Sequence, residues 1–290
     1  MKDSDTLSRF LFEQSGIRGN RVHLDASWRA VLETHPYPEP VAVRLGEALA
    51  ATALLAATIK FEGSLILQIQ SSGPIRTLVA QATHARTVRG LARWEAEVPA
   101  VESLSEQFGT GQLVLTIDQG CGQPYQGVVP LTGARLTEAI EHYFADSEQI
   151  PTRLWLAATP SYASGLLLQR LPEAGTTEED WGRVTQLADT LTPGELLGLA
   201  TEPLLYRLFH EERVRLFEPE PVSFRCGCSR TRIADLLKLL GDSDIDRLID
   251  EQGAVEVTCE FCNRRYRFDP VDARQLFASL THHEPPATPQ

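Results

Sequence analysis

No stretch of the chain is apolar for long enough to cross a bilayer as a helix, which takes ~20 consecutive apolar residues. The most hydrophobic run, Ala48 to Ile59, is bounded by Glu47 and Lys60. The opening residues, MKDSDTLSRFLFEQSG, are charged from the outset and lack the apolar centre of a secretory signal. A soluble cytoplasmic protein with no membrane association is therefore expected. Basic charge is scarce as well: 27 Lys and Arg stand against 39 Asp and Glu, a net charge of −12. Proteins that wrap nucleic acid nonspecifically need the opposite balance, because phosphates are neutralised by Lys and Arg. Also missing are a Gly-x-x-x-x-Gly-Lys-[Ser/Thr] phosphate loop, a His-Glu-x-x-His zinc pair and any internal repeat. The seven histidines are scattered, with His282 and His283 in the tail, and His84 and His142 read as structural or surface residues. No catalytic residue is assigned, and the chain is read as non-enzymatic.

Cysteine is rare, five in 290 residues, but four of the five form a pattern: Cys226-Gly-Cys228 and Cys259-Glu-Phe-Cys262. Each pair is short enough to put two thiolates on one metal ion, and two pairs complete the tetrahedral sulfur shell that Zn²⁺ prefers. Thiolates alone do not separate zinc from an iron–sulfur cluster, but no ferredoxin-type spacing accompanies them. In a reducing compartment such cysteines read as metal ligands or reactive thiols before they read as a disulfide framework. Cys259-x-x-Cys262 does not follow the first strand of a thioredoxin-like unit, which argues against an oxidoreductase. Cys121, in a Gly-flanked loop, reads as an ordinary thiol outside the zinc set.

The hydrophobic fraction, 42%, suffices for a real core. An α+β fold is expected in four parts. Residues 1–174 form a mixed, largely antiparallel sheet with helices, because the intervals between apolar runs are too short for repeated crossovers. Val41–Phe61 reads as a buried helix, with strands at 64–70, 75–80, 112–117, 125–129, 154–158 and 165–171 and a helix at 137–146. Residues 175–223 contain no convincing strand and read as short helices. Thr177 starts one, Thr192-Pro-Gly-Glu195 carries a capping hydroxyl, a proline and a returning carboxylate, and Thr201 starts a third. Their apolar faces include Trp181, Leu187, Leu204, Leu205, Leu208 and Phe209. Helices this short are marginal alone and must lean on a platform. Residues 224–282 hold the four cysteines between short helices and strands, a core so thin that a metal staple is needed. Residues 283–290 read as a disordered tail.

Two roles fit the four thiols. A structural zinc would stay saturated and inert, as most four-cysteine sites do. A sensor would lose its ligands to an oxidant and, with them, the fold they hold. Arg225, Arg230, Arg264 and Arg265 can favour thiolate there. A rival from another class is a nucleic-acid-binding protein with a purely structural zinc module. Arg225, Arg230, Arg232, Arg264, Arg265 and Arg267 interleave with Phe261, Tyr266 and Phe268 in the manner of a single-strand site.

Over essentially its whole length the chain resembles the redox-regulated thirty-three-kilodalton heat-shock protein family, bacterial zinc-dependent holdase chaperones. The likeness rests on the two cysteine pairs, on Tyr143-Phe-Ala-Asp-Ser-Glu-Gln-Ile-Pro151-Thr152, on Tyr125-Gln-Gly-Val-Val-Pro-Leu131, and on Gly165-Leu-Leu-Leu-Gln-Arg-Leu-Pro172. The resemblance implies that Cys226, Cys228, Cys259 and Cys262 bind one zinc ion per chain in the reduced, inactive state. It implies Cys226–Cys228 and Cys259–Cys262 disulfides on oxidation, zinc release and unfolding of the 175–223 linker. Trp181, Leu187, Leu204, Leu205, Leu208 and Phe209 become candidate client-binding residues. The implied partners are unfolding client proteins, a second copy of the chain in the active homodimer, and ATP-dependent refolding chaperones that receive the clients.

Overall fold

The computed structural model describes residues 4–95, 97–101, 103–120, 122–171 and 176–278. Cys121, the 174/175 boundary, His282, His283 and the tail 283–290 lie outside them. Two compact units meet in the chain between Arg225 and Cys226.

The first unit opens with an antiparallel hairpin, β1 (Thr6–Phe12) and β2 (Ile17–Leu24), where no strand is expected from the sequence. Both faces of this hairpin are covered, which blurs the in–out alternation that marks a half-exposed strand. Leu7, Val22 and Leu24 enter the main core, while Phe10, Phe12 and Ile17 enter a second one on the opposite side. After α1 (Ala26–Leu32) comes α2 (Glu39–Ala56), the buried helix expected from the Ala- and Leu-rich run, although it stops short of Phe61. It packs on strands of both sheets of this unit, so it is apolar all round rather than amphipathic. Gly46 permits that approach: a Cβ there would lie 2.6 Å from the Ala158 Cβ.

The next sheet is formed by β3 (Ser64–Ser71), β4 (Ile75–Thr83), β5 (Thr87–Trp94), β6 (Gly111–Asp118) and β7 (Tyr125–Pro130), with the short α3 (Leu104–Phe108) ahead of β6. Its order is β5-β4-β3-β6-β7, antiparallel throughout. The expected helix at 137–146 is α4 (Leu136–Tyr143), continued by a π-helical turn, Phe144–Glu148, that ends at a left-handed Gln149. Then β8 (Thr152–Ala158) and β9 (Ala163–Arg170) join the first hairpin in the order β1-β2-β9-β8.

Residues 176–225 belong with this unit. The expected capping box of Thr192 with Glu195 forms and opens α6 (Pro193–Gly198), and Thr177, expected to start a helix, opens α5 (Glu178–Ala188) with a second box to Asp180. Thr201 starts the third helix as expected: it is the first residue of α7 (Thr201–Phe209), with Ala200 in the cap position. The expectation of no strand before Pro221 is corrected. β10 (Val214–Leu216) and β11 (Glu220–Pro221) both pair with β1, and two- and three-residue strands are too short to show a period. β12 (Ser223–Phe224) then lies parallel to β5.

The platform for the three helices is the face of the β1-β2-β9-β8 sheet turned away from α2. Val184, Ala188, Leu196, Leu204, Leu205, Leu208 and Phe209 are buried against Phe10, Phe12, Ile17, Ala157, Leu166 and Leu168. The Phe209 ring meets Phe12 edge-on at 4.9 Å. Trp181 and Leu187 are only partly buried at the margin. Each fully buried large side chain contributes roughly 1.5–3 kcal/mol over exposure, which the entropy of ordering the segment offsets in large part.

The second unit contains α8 (Arg230–Leu240), α9 (Asp242–Gln252), the hairpin β13 (Val255–Thr258) and β14 (Arg265–Phe268), and α10 (Pro270–Ala278). Ser229 caps α8, its Oγ accepting from the Arg232 N–H at 3.2 Å. Gly253, at φ +75°, ends α9.

Phe209→Ala is expected to cost about 3–5 kcal/mol of docking free energy. Limited proteolysis should then cut residues 176–225 faster while residues 17–171 stay protected. Unchanged cleavage in 176–225 would show that Phe209 does not anchor the segment.

Candidate metal centre

The second unit buries little: Ile233, Leu237, Ile245, Val255, Cys259, Tyr266, Phe268 and Ala273, with one sulfur already in that set. Two chain segments bring the four cysteines together. Cys226 and Cys228 sit on the extended run ahead of α8, fastened by the Arg232 guanidinium, which donates to the Gly227 carbonyl at 3.0 Å. Cys259 and Cys262 sit in the turn between β13 and β14. There the Cys259 carbonyl accepts from the N–H groups of Cys262 (3.3 Å) and Asn263 (2.8 Å), and the Cys259 N–H donates to the Arg264 carbonyl (2.9 Å). A left-handed Asn263, at φ 54°, closes the turn, as a short polar residue can.

All four sulfurs lie within 4.8 Å of one another. Cys226 Sγ is 3.6 Å from Cys259 Sγ, and Cys228 Sγ is 3.4 Å from Cys262 Sγ. These are not disulfide lengths, and none of the four is bridged. The cluster can hold a metal ion.

Four thiols so close cannot ionise together unaided. Burial and then its sulfur neighbours push Cys262 up to about 12, against the N–H of Arg264, and burial raises Cys259 despite the N–H of Phe261. Burial opposes the Cys228 thiolate too, but the Tyr266 hydroxyl, which donates to Cys228 Sγ at 3.2 Å, and the other thiols bring it down to about 7. A bound cation would compensate all four charges, and its binding releases the protons held on the raised thiols.

The basic side chains read from the sequence divide. Arg225 belongs to the first unit, its N–H bonded to the Val88 carbonyl at 3.1 Å. Arg230 lies 4.2 Å over the Phe268 ring and donates to Asp272 and the Arg267 carbonyl. Arg264 faces Tyr266 and the sulfurs of Cys228 and Cys262, which raise its pKa further. Tyr266 and Phe268 are buried and Phe261 partly so, which withdraws the stacking surface that a single-strand site requires. Trp181, Leu187, Leu204, Leu205, Leu208 and Phe209 lie with the sheet of the first unit. His84 Nδ1 accepts from the Gly63 N–H at 2.9 Å, a structural contact.

Two features escaped the sequence reading. One is the Tyr266 hydroxyl, whose partner is invisible without the fold. The other is Arg21, 1% exposed, which donates to Thr201 Oγ1 at 2.7 Å and to the Leu196 and Leu199 carbonyls at the end of α6. Its place on β2 offered no hint of burial.

The structure therefore defines a two-sheet α+β body followed by a small module whose four clustered thiols could hold a metal ion. The family model described as Hsp33 protein matches residues 5–269. The 33 kDa chaperonin of Nitrosococcus oceani is 59% identical over 277 residues, 96% of each chain. That of Pseudomonas paraeruginosa is 50% identical over 295 residues, 99% of each chain. The crystal structure of the Thermotoga maritima 33 kDa chaperonin superposes with a TM-score of 0.84 at 25% identity, covering 95% of this chain and 99% of that one. The chain belongs to the Hsp33 family, and the function this carries is that of a chaperone, a non-enzymatic role. No described helix is long and apolar enough to cross a membrane.

Cys259→Ser is expected to reduce metal affinity at least tenfold and to lower the unfolding temperature of residues 226–278, while residues 17–171 stay folded. Chelator competition and scanning calorimetry check both. Because cation binding displaces thiol protons, affinity should fall as pH is lowered from 8 to 6; a flat profile would show that the thiols are not the ligands.

Proposed function

We propose that this chain is a redox-regulated, ATP-independent holdase, inactive while its four thiolates hold one Zn²⁺ and active once they are oxidised. The observation that carries the reading is the sulfur cluster itself. A tetrahedral zinc with Zn–S near 2.3 Å places its sulfurs about 3.8 Å apart, close to the 3.6 and 3.4 Å separations found. The all-thiolate donor set suits zinc and is open to oxidation. When bound, the ion supplies a staple whose binding free energy is folding free energy for the second unit.

Oxidation is proposed to form Cys226–Cys228 and Cys259–Cys262 disulfides, each pair giving two electrons to the oxidant. The partners are neighbours in sequence, and all four sulfurs are mutually close, so the separations alone do not choose the pairs. The domain scheme follows: a body up to residue 174, a metastable linker at 175–223, and a zinc module from 224. The linker's buried face supports the coupling, because Leu204, Leu205, Leu208 and Phe209 become client-binding surface only if the segment undocks. Chain connectivity supports it as well. Arg225, the last residue bonded to β5, is followed directly by the first sulfur ligand. Client capture, homodimerisation on activation, hand-over to ATP-dependent chaperones and action in the reducing cytoplasm complete the proposal.

The test uses the full-length, zinc-loaded protein before and after peroxide with mild heating. Oxidation should release one zinc per chain, consume four thiols of the cluster and suppress aggregation of a thermally unfolding client. Zinc loss with undiminished client aggregation would defeat the switch. Salt-dependent binding of single-stranded RNA by the reduced protein would favour the nucleic-acid reading instead.

A further inference from the structure

The sulfurs of the cluster do not receive their hydrogen bonds in the same way. Cys259 and Cys262 are served by main-chain N–H groups, of Phe261 and Arg264, which the turn supplies whatever the side chains are. Cys228 lies on the other segment, and its donor comes across the site from a side chain, the Tyr266 hydroxyl at 3.2 Å. The strand explains the aim. Along β14 the exposures alternate, so Tyr266 and Phe268 turn inward while Arg265 and Arg267 turn to solvent. The Arg264 guanidinium lies beside the Tyr266 hydroxyl.

We infer that Tyr266, with Arg264 beside it, is a positioning residue that sets how readily Cys228 gives up its metal and meets an oxidant. A donor on a metal-bound thiolate fixes the ligand's orientation and engages one of its lone pairs, and such outer partners are typically worth 10–100-fold in metal affinity. The same engagement slows the oxidative step. A thiolate attacks the distal oxygen of a hydroperoxide, the O–O bond breaks, and the products are a sulfenic acid and an alkoxide that takes a proton from water. A second thiolate then attacks the sulfenic sulfur, forming the disulfide and expelling hydroxide. The lone pair occupied by Tyr266 is one that the first step uses. This inference rests on the reading of the tetrad as a metal-thiolate site, and it goes further by assigning the switch's threshold to one phenol.

Tyr266→Phe in the full-length protein keeps the buried ring and removes only the hydroxyl. It should still bind one zinc, with affinity about tenfold lower by chelator competition. Cys228 should be alkylated and peroxide-oxidised several-fold faster than in the parent, with the other three thiols little changed, and the cobalt-substituted form should show a shifted sulfur-to-metal charge-transfer band. Arg264→Gln should move each readout the same way by less, and it decides the matter if Tyr266→Phe does not fold. Parent-like affinity and Cys228 reactivity in both variants overturn the inference. So does uniform acceleration at all four thiols with a lowered unfolding temperature, the mark of a packing role alone. Failure of the parent protein to bind zinc would instead sink the underlying reading.

Discussion

Residues 226–278 gather four sulfurs at one point inside a thin apolar core. Ile233, Leu237, Ile245, Val255 and Phe268 are few for a unit of this size, and Cys259 itself is one of the buried groups. Domains so small are marginal without a cross-link or metal. The sulfurs cannot supply that stability unaided, since burial and mutual repulsion hold Cys259 and Cys262 protonated. A bound cation would turn the same four groups from a cost into the strongest tie in the unit. The proposed regulation rests on that dependence of fold on thiol chemistry.

The first unit contains the complementary element, a sheet covered on both faces by different means. On the α2 side the cover is a long buried helix inside the main core. On the other side it is three short helices, none of which would persist alone in water. Their interface mixes apolar contact with a buried guanidinium. Arg21 satisfies the terminal carbonyls of α6 and the hydroxyl of Thr201, where a cation is also favoured by the helix dipole. Desolvating that charge offsets part of the apolar gain, and undocking would return Arg21 to water. The result is docking that is specific in register, and its limited strength is what the proposed switch requires.

Much of this was legible before any coordinates. The cysteine spacing picked out the four thiols that the fold brings together, because metal geometry imposes short spacings on sequence. Thr177-x-x-Asp180 and Thr192-x-x-Glu195 announced two helix starts, because a capping box is a local device whose partners lie three residues apart. What escaped notice depends on partners far away in the chain. β1 and β2 are buried on both sides, so Phe10 and Phe12 give no clean alternation. Thr201 was legible as a helix start, but not the meeting of its hydroxyl with Arg21, 180 residues earlier. Tyr266 read as one aromatic among arginines, and only the closing of the two thiol segments shows what its hydroxyl faces.

The central claim is that oxidation of the second unit's thiols undocks helices belonging to the first. Hydrogen exchange read by mass spectrometry, on the full-length zinc-loaded protein and on the same protein after complete oxidation of the cluster, addresses it peptide by peptide. The account predicts that amides in 178–209 lose most of their protection on oxidation while those of β2, α2 and β9 keep theirs. Retained protection in 178–209, with all four thiols oxidised and zinc released, would contradict it.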